Sequence, residues 1–326
     1  MNKLAQITSA DWDAVCEFNR NLYNEYLSNS TEFSPATKKA YESNLRIWFV
    51  WIKNNLNNKK QTEIKPLEYK KYQNWLVNRG HSSADVNNKR SAISSLNNYI
   101  EIYYADEYPT FRNFINKSIK RPPKVAVNEK IPLSKSEYSK LVEVLEERKA
   151  FQKKAYLIYT LDTGCRREES RQLLKKVVNA APVIKEKDGK KILFYQTHPI
   201  RCKGAGETGK TRRFIFSEAT MTALKKWVEA RGEDDCVYMF ITKHGGKVRQ
   251  INKTGFNHWA SNDFTKILGR RFHPHLIRSS RATQMVVEEG RDIKTAQKLL
   301  GHENSSTTQL YVVRDDTDDL DDLYGE

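Results

Sequence analysis

Apolar side chains recur every three to four residues through the first third of the chain, which is the period of helices that face a core. The clearest stripes are Trp12–Tyr26, Tyr41–Ile52, Tyr69–Leu76 and Val86–Tyr103. Residues that favour a helix start precede the later stripes: Ser34 with Pro35, then Pro66, then Ser82 or Ser83. The pattern predicts a first body made only of helices, with the stripes packed in its core.

Residues 120–132 break the helical period. The segment KRPPKVAVNEKIP contains two adjacent prolines and a basic bias, which is typical of an extended linker. We therefore expect a helical domain at residues 1–120, a linker at 121–132, a second domain at 133–314 and an acidic tail at 315–326.

The second body opens with helices and continues with strand-like segments. Helix signals are a capping box of Ser134 and Glu137, a stripe from Phe151 to Leu161 that ends at Thr163-Gly164, and a further helix from Cys165 to about Lys175. Strand-like runs follow at Ile192–Tyr195, Ile200–Lys203 and Arg213–Phe216. The last two flank a glycine-rich turn, so we expect a small antiparallel sheet. Helices are then expected from Ala219 to the end of the chain, which gives a mainly α fold with a small sheet.

Charge and composition narrow the class of partner. The 326 residues carry a formal charge of +16, although the twelve residues from Asp315 to Glu326 contain seven acids and no Lys or Arg. A basic excess of this size favours binding to a polyanion such as nucleic acid. The alternative, that the charge serves only to keep the protein soluble, is less favoured. No apolar run reaches the roughly 20 residues of a membrane span. The first residues lack the apolar segment of a signal peptide, so we do not expect secretion. Four scattered cysteines without a Cys-x-x-Cys pair argue against zinc knuckles. We expect a cytoplasmic, nucleoid-associated protein.

Basic residues lie opposite the apolar stripes of the first body. We predict DNA contacts for Lys38, Lys39, Lys89 and Arg90. A solvated face is an equal alternative for such a pattern.

The stretch from His273 to Tyr311 carries the candidate chemistry. It contains His275-x-x-Arg278, Leu300-Gly301-His302 and, nine residues later, Tyr311. Cationic donors, an imidazole and a phenol are the groups that would transfer a phosphodiester onto a tyrosine. Upstream, Arg166 and Glu169 are spaced so that a carboxylate can orient a guanidinium, although a surface pair has the same spacing.

Five motifs follow one another in the second body: Thr163-Gly164-x-Arg166-x-x-Glu169, Lys203-Gly204, His275-x-x-Arg278 with Ala282-Thr283, Leu300-Gly301-His302, and Tyr311. In this order they resemble the tyrosine recombinase (phage integrase) family over the whole second body. The linker and the helical first body fit that family's core-binding DNA domain less specifically. The resemblance implies a mobile-element or simple-site recombinase that integrates, excises or resolves DNA.

The resemblance also implies a role for each residue, without metal or other cofactor. Tyr311 would attack the scissile phosphate and leave a 3′-phosphotyrosine, while Arg166 and Arg278 hold the non-bridging oxygens and Glu169 supports them. Lys203 would protonate the leaving 5′-oxygen, and His275 would assist proton transfer from Tyr311. His302 would donate a hydrogen bond to the phosphate. Four protomers would act on duplex DNA and exchange strands through a Holliday junction, starting from monomers or weak oligomers.

Two departures from the family pattern leave assignments open. The turn after Lys203 is longer and richer in glycine than the family's Lys-Gly-x-Lys-x-Arg, so Lys210 is an alternative acid. The position after Arg166 is usually apolar, and Arg167 there is a candidate DNA contact. The acidic tail is either disordered or, as the resemblance implies, docked on a neighbouring protomer.

Rival interpretations are a metal site at His273, His275 and His302, a type IB topoisomerase-like strand transferase, and a non-catalytic DNA-binding protein. The first lacks a clustered carboxylate. The last explains the charge but not the ordered motifs. Tyr324 lies in the acidic tail, which argues against it as the nucleophile.

Overall fold

The computed structural model describes residues 6–115, 119–123, 131–187, 189–202, 204 and 209–301. The chain divides into two compact units, of which the first covers Met1–Asn128 with Gly204–Gly209 and the second covers Glu129–Lys203 and Lys210–Glu326. Each has its own core of buried apolar side chains.

The described part of the first unit is helical. Its helices are α1 Ser9–Asp13, α2 Glu17–Asn29, α3 Pro35–Asn55, a 3₁₀ turn Gln61–Glu63, α4 Pro66–Asn78 and α5 Ser83–Tyr103. The expected start signals operate as caps: Ser34 accepts from the Thr37 amide and Ser82 from the Asp85 amide. Aromatic rings fill the centre of the core, with Trp48, Tyr69 and Tyr72 no more than 1% exposed.

The second unit combines helices with short strands. Its elements are α6 Lys135–Glu147, α7 Phe151–Thr163, α8 Arg167–Arg171, a 3₁₀ turn Lys175–Asn179, β1 Val183–Lys187, β2 Lys190–Gln196, β3 Ile200–Cys202, β4 Lys210–Arg212, β5 Ile215–Phe216, α9 Glu218–Arg231, β6 Ile241–His244, β7 Lys247–Gln250, α10 Lys253–His258, a π-helical stretch Trp259–Phe264, α11 Thr265–Leu268, α12 Pro274–Thr283, a second π-helical stretch Gln284–Glu288 and α13 Ile293–Leu300. The prediction of a mainly α fold with a small antiparallel sheet is confirmed, although the described strands form more than one such sheet.

The strands form three small antiparallel sheets in the described residues, with orders β1-β2-β5, β3-β4 and β6-β7. The expected pairing across the glycine-rich turn is shifted: Ile200–Cys202 pairs with Lys210–Arg212, and Ile215–Phe216 pairs instead with β2. The β6–β7 hairpin corrects the expectation that helices continue after α9.

Helix α8 is shorter than the predicted helix to Lys175. Beyond Arg171 the backbone leaves the helix and pairs with a distant segment: the Met239 amide donates to the Leu173 carbonyl at 2.7 Å, and the Lys175 amide donates to the Val237 carbonyl at 2.8 Å. These long-range backbone bonds compete with the helical bonds and end α8.

Candidate active site

Arg278 is the most buried charged group of the site. It lies on α12, is 1% exposed, and donates from Nη1 to the Gly164 carbonyl and from Nη2 to the Leu300 carbonyl, the second at 2.6 Å. Gly164 caps the end of α7 and Leu300 is the last residue of α13. Carbonyls at helix C-termini lack helical partners and carry the negative end of the helix dipole. Two helix ends thus hold one guanidinium and join the three motifs that contain these residues.

The two glycines at these helix ends are required by their backbone. Gly164 has φ +60° and Gly301 has φ +63°, which is the left-handed region where an L side chain is strained. A Cβ on Gly164 would lie 2.8 Å from a methyl carbon of Leu300, so the two helix ends also approach closely.

Arg166 and Glu169 form the expected pair, in a tighter form than a surface ion pair. Arg166 is the N-cap of α8, and the Glu169 carboxylate accepts from its backbone amide at 2.6 Å and from its Nη1 at 2.9 Å. The Glu169 side chain is 3% exposed and that of Arg166 is 28% exposed. The buried carboxylate therefore fixes the direction of a guanidinium that still reaches solvent.

A cavity of about 340 Å³ brings these groups together. Its lining includes Arg166, Arg167, Lys253, Asn257, His273, His275 and Arg278. The sequence interpretation missed Lys253 and Asn257, which lie four residues apart on α10. No local motif marks them, because they reach the cavity only through the packing of α10 on α8. Arg167 is held by a hydrogen bond from its Nη1 to the Asn257 side-chain oxygen.

The two candidate histidines have different positions. His273 is the N-cap of α12, and its Nδ1 accepts from the Leu276 amide at 3.1 Å. His275 lies within the first turn of α12. Desolvation, together with the positive charge of Arg278, lowers the pKa of His275 to about 4. Its imidazole is therefore neutral at physiological pH and can accept a proton.

The hairpin of β3 and β4 carries Lys210 and is called the lysine-bearing hairpin. Its strand β3 contacts α8. Lys210 is exposed at the start of β4 and pairs with Cys202 of β3. Arg212 of the same strand donates from Nη2 to the Leu299 carbonyl and lies 4.2 Å from the centre of the Phe214 ring. Sequence interpretation gave Arg212 no role, although it completes the Lys-x-Arg part of the family pattern. Lys203, His302 and Tyr311 lie outside the described residues.

Two buried thiols near the site are not competing nucleophiles. Burial raises the pKa of Cys165 to about 11, and burial together with the nearby Glu169 carboxylate raises that of Cys202 to about 12. Both thiols stay protonated at neutral pH, and only the thiolate is a good nucleophile.

The basic residues predicted for DNA contact in the first unit differ in accessibility. Lys39 is exposed and Lys38 is partly exposed on α3. Lys89 is 4% exposed and its ammonium contacts the Asp85 carboxylate at 2.7 Å. Arg90 is 8% exposed and its guanidinium carbon lies 6.0 Å from the centre of the Tyr69 ring. Burial argues against open phosphate contacts for the last two.

The described residues contain neither a metal-binding cluster nor a helix suited to a membrane. Across the described ranges, no three His, Cys, Asp or Glu side chains cluster closely enough to bind a metal ion. Among the helices described, none combines the length and the apolar character needed to span a bilayer.

Family models and relatives among known proteins match most of this chain. The model of the phage integrase family matches residues 132–317, and that of the phage integrase N-terminal SAM-like domain matches residues 21–101. The SPbeta prophage-derived recombinase-like protein YomM of Bacillus subtilis is 32% identical over 99% of this chain and 95% of its own length. A tyrosine recombinase of Thermosipho africanus is 22% identical over 89% of this chain and 93% of its own length.

Two solved structures share the fold. The XerH site-specific recombinase bound to a palindromic difH substrate aligns with a TM-score of 0.67, 16% identity and 99% coverage of both chains. The Tn1549 transposon integrase in complex with transposon right end DNA aligns with a TM-score of 0.65, 16% identity, and coverage of 91% of this chain and 95% of that one. Because a family model matches more than half of the sequence and a relative is 32% identical over nearly all of it, this chain belongs to the phage integrase family and is a tyrosine-type site-specific recombinase.

Proposed function

We propose that this recombinase cleaves and rejoins duplex DNA through a 3′-phosphotyrosine at Tyr311. The observation that carries the proposal is the cavity in which Arg166, Arg278 and a neutral His275 converge. Two guanidinium groups in one cavity suit a phosphate whose negative charge grows as a fifth oxygen approaches phosphorus.

Duplex DNA is the proposed substrate. The formal charge of +16 favours a polyanion, and the aligned structures of XerH and of the Tn1549 integrase are complexes with DNA. The residues 1–120 would form one DNA-binding domain and 133–314 the catalytic domain, with 121–132 as the linker between them. Lys38, Lys39 and Arg167 are proposed as phosphate contacts.

The cleavage step exchanges one phosphate ester for another. The Tyr311 oxygen forms a bond to phosphorus and passes its proton to His275, while the bond from phosphorus to the 5′-oxygen breaks. The leaving oxygen takes a proton from Lys203, with Lys210 as the alternative donor, and His302 donates to a non-bridging oxygen. The ester energy is kept in the phosphotyrosine, so the reverse attack by a 5′-hydroxyl rejoins the strand without ATP.

Glu169 supports this step without touching the phosphate. Its carboxylate holds both the backbone amide and the guanidinium of Arg166. Because the carboxylate is buried, the arginine is oriented before DNA arrives, which saves the cost of ordering it in the transition state.

Strand exchange would involve four protomers and a Holliday junction, with the acidic tail docked on a neighbouring protomer. The full-length match to a prophage-derived recombinase-like protein favours a mobile-element role. Truncation after Arg314 should then weaken assembly on DNA, whereas unchanged tetramer formation would contradict tail docking.

A nicked suicide substrate tests the activity. The protein and its Tyr311→Phe variant are incubated with nicked DNA libraries, and protein-linked DNA is recovered and sequenced. We expect adducts at preferred sequences with the natural protein only. Absence of any Tyr311-dependent adduct would refute the proposal and leave a DNA-binding protein without catalysis.

A second assay separates recombination from a topoisomerase-like activity. Supercoiled plasmids with and without the recovered site are incubated with the protein. Site-dependent exchange between two plasmids supports recombination, whereas relaxation of both plasmids without exchange supports the topoisomerase-like alternative.

A further inference from the structure

Gln172 joins α8 to β3 through its side-chain amide. It follows α8 directly, and its Nε2 donates to the Arg201 carbonyl at 2.9 Å while its Oε1 accepts from the Arg201 amide at 3.1 Å. The same Nε2 also donates to the Glu168 carbonyl at 3.0 Å. One side chain thus connects the backbone of a helix with the backbone of a strand.

These bonds occupy the side of β3 that faces away from β4. In an antiparallel ladder, the amide and the carbonyl of one residue point to the same side of the strand. Since both groups of Arg201 bind Gln172, the bonds to β4 come from the neighbouring pairs, Ile200 with Arg212 and Cys202 with Lys210. Gln172 therefore does for this three-residue strand what a second neighbouring strand would do.

The two elements that Gln172 connects carry the two halves of the proposed chemistry. Arg166 is the N-cap of helix α8, and the helix contains the buried Glu169. Strand β3 ends at Cys202, directly before Lys203 in the sequence, and Cys202 pairs with Lys210. Of the two candidate acids, Lys210 thus lies in this short ladder, and Lys203 is the next residue in the sequence after β3.

We propose that Gln172 is a positioning residue, which sets the distance between the arginines that hold the phosphate and the lysine that protonates the leaving oxygen. The inference rests on the proposed function above and applies to either lysine. A strand of three residues has few ladder bonds of its own, so loss of the amide leaves its position relative to α8 less determined. Shifts of about 1 Å at a reacting group can cost up to about 100-fold in rate.

The test uses two nicked substrates that differ only in the leaving atom. One has the natural 5′-oxygen at the scissile bond, and the other has sulfur at that position. Thiols are far more acidic than alcohols, with a pKa of about 8.5 for a cysteine thiol against about 15.7 for water. The sulfur leaves as a thiolate without a proton donor, so a defect confined to the acid disappears with this substrate.

The variants are Gln172→Met, which keeps the shape without the hydrogen bonds, and Gln172→Glu, which keeps only the acceptor for the Arg201 amide. We expect Gln172→Met to slow single-turnover adduct formation about 10- to 100-fold with the oxygen substrate and less than about twofold with the sulfur substrate. For Gln172→Glu, the ratio of the oxygen-substrate rate to the sulfur-substrate rate should lie between those of the natural protein and of Gln172→Met. This variant provides the test if Gln172→Met fails to fold. Lys203→Ala and Lys210→Ala identify which lysine shows the same selectivity.

Gln250→Met is the matched control. Gln250 also binds the end of α8, since its Nε2 donates to the Arg171 carbonyl at 2.8 Å, but it belongs to β7 and not to the lysine-bearing hairpin. Its ratio of oxygen to sulfur rates should equal that of the natural protein. Equal slowing of both substrates by the Gln172 variants would overturn the positioning role. Absence of adduct from the natural protein on either substrate would instead refute the proposed function.

Discussion

Gly301 offers a sharp test of how the end of α13 is held. Its φ of +63° is strained for any L side chain, and a Cβ there would lie 2.0 Å from Nη1 of Arg212. Gly290 has a nearly equal φ of +62° but no neighbouring atom within 4 Å of a Cβ. The substitutions Gly301→Ala and Gly290→Ala therefore share the backbone strain and differ in the steric clash.

The expected magnitudes follow from these contacts. An alanine in the left-handed region costs about 1 kcal/mol at either position. At Gly301 the Arg212 side chain must also move, which removes its charged hydrogen bond to the Leu299 carbonyl, worth about 1.5–3 kcal/mol. Its contact with the Phe214 ring adds about 0.5–1 kcal/mol. The free energy of unfolding should fall by about 3–5 kcal/mol for Gly301→Ala and about 1 kcal/mol for Gly290→Ala.

Urea unfolding read by pulsed alkylation of Cys165 and Cys202 measures this effect in the second unit. Both thiols are buried, 4% and 7% exposed, and become reactive when the unit opens. With a slope of about 2 kcal/mol per molar urea, the midpoint should fall by about 1.5–2.5 M for Gly301→Ala and about 0.5 M for the control.

An Arg212→Ala background isolates the clash. There, Gly301→Ala should cost only the strain of about 1 kcal/mol, so the two substitutions are strongly coupled. Equal midpoints for the Gly301 and Gly290 variants, or additive costs in the double variant, would refute the assignment of the clash to Arg212.

Three further outcomes test the site. Arg278→Met removes the donor to two buried carbonyls. Each unpaired group costs about 1–3 kcal/mol, so the free energy of unfolding measured by the same alkylation assay should fall by about 2–6 kcal/mol. A fall below about 1 kcal/mol would contradict that role. Because the folded-state pKa of His275 is about 4, its imidazole gains a proton only well below the usual value of about 6.5, so the second-order rate of adduct formation should lack an acid limb near pH 6.5. A limb there that disappears in His275→Gln would show that its pKa is not lowered. Arg167→Leu should reduce the salt dependence of DNA binding by about one phosphate contact, and an unchanged slope in a binding titration would exclude such a contact.

Local features of the sequence predict most helix boundaries. Ser34 with Pro35, Ser82, and the capping box of Ser134 and Glu137 all cap helices as expected, since a cap is a bond between a side chain and the backbone beside it. Gly301 ends α13 for an equally local reason, its positive φ.

The short strands and the end of α8 are not visible in the same way. The strands β6 and β7 carry ITKH and KVRQ, which lack a run of β-branched and aromatic residues. They exist because the backbone of one segment pairs with that of the other. The predicted helix to Lys175 fails because backbone groups from Leu173 onward bond to residues 237–239.

The side chains of the first unit show the same limit. Periodicity placed Lys89 opposite the apolar stripe of α5, yet it is 4% exposed and paired with Asp85. A helical pattern gives the face of a residue, but neighbouring elements decide how much of each face stays in water.

The sequence by itself determined the order of the motifs, the family resemblance and the identity of the candidate catalytic residues, because these depend on residue type and spacing. Only the tertiary structure decided how they meet. The Arg278 guanidinium is held by two helix ends that lie 114 and 22 residues away along the chain. The buried carboxylate of Glu169 orients Arg166, and Gln172 ties the strand before Lys203 to the same helix. These contacts depend on the directions of hydrogen bonds across packed elements, which residue spacing along the chain does not specify.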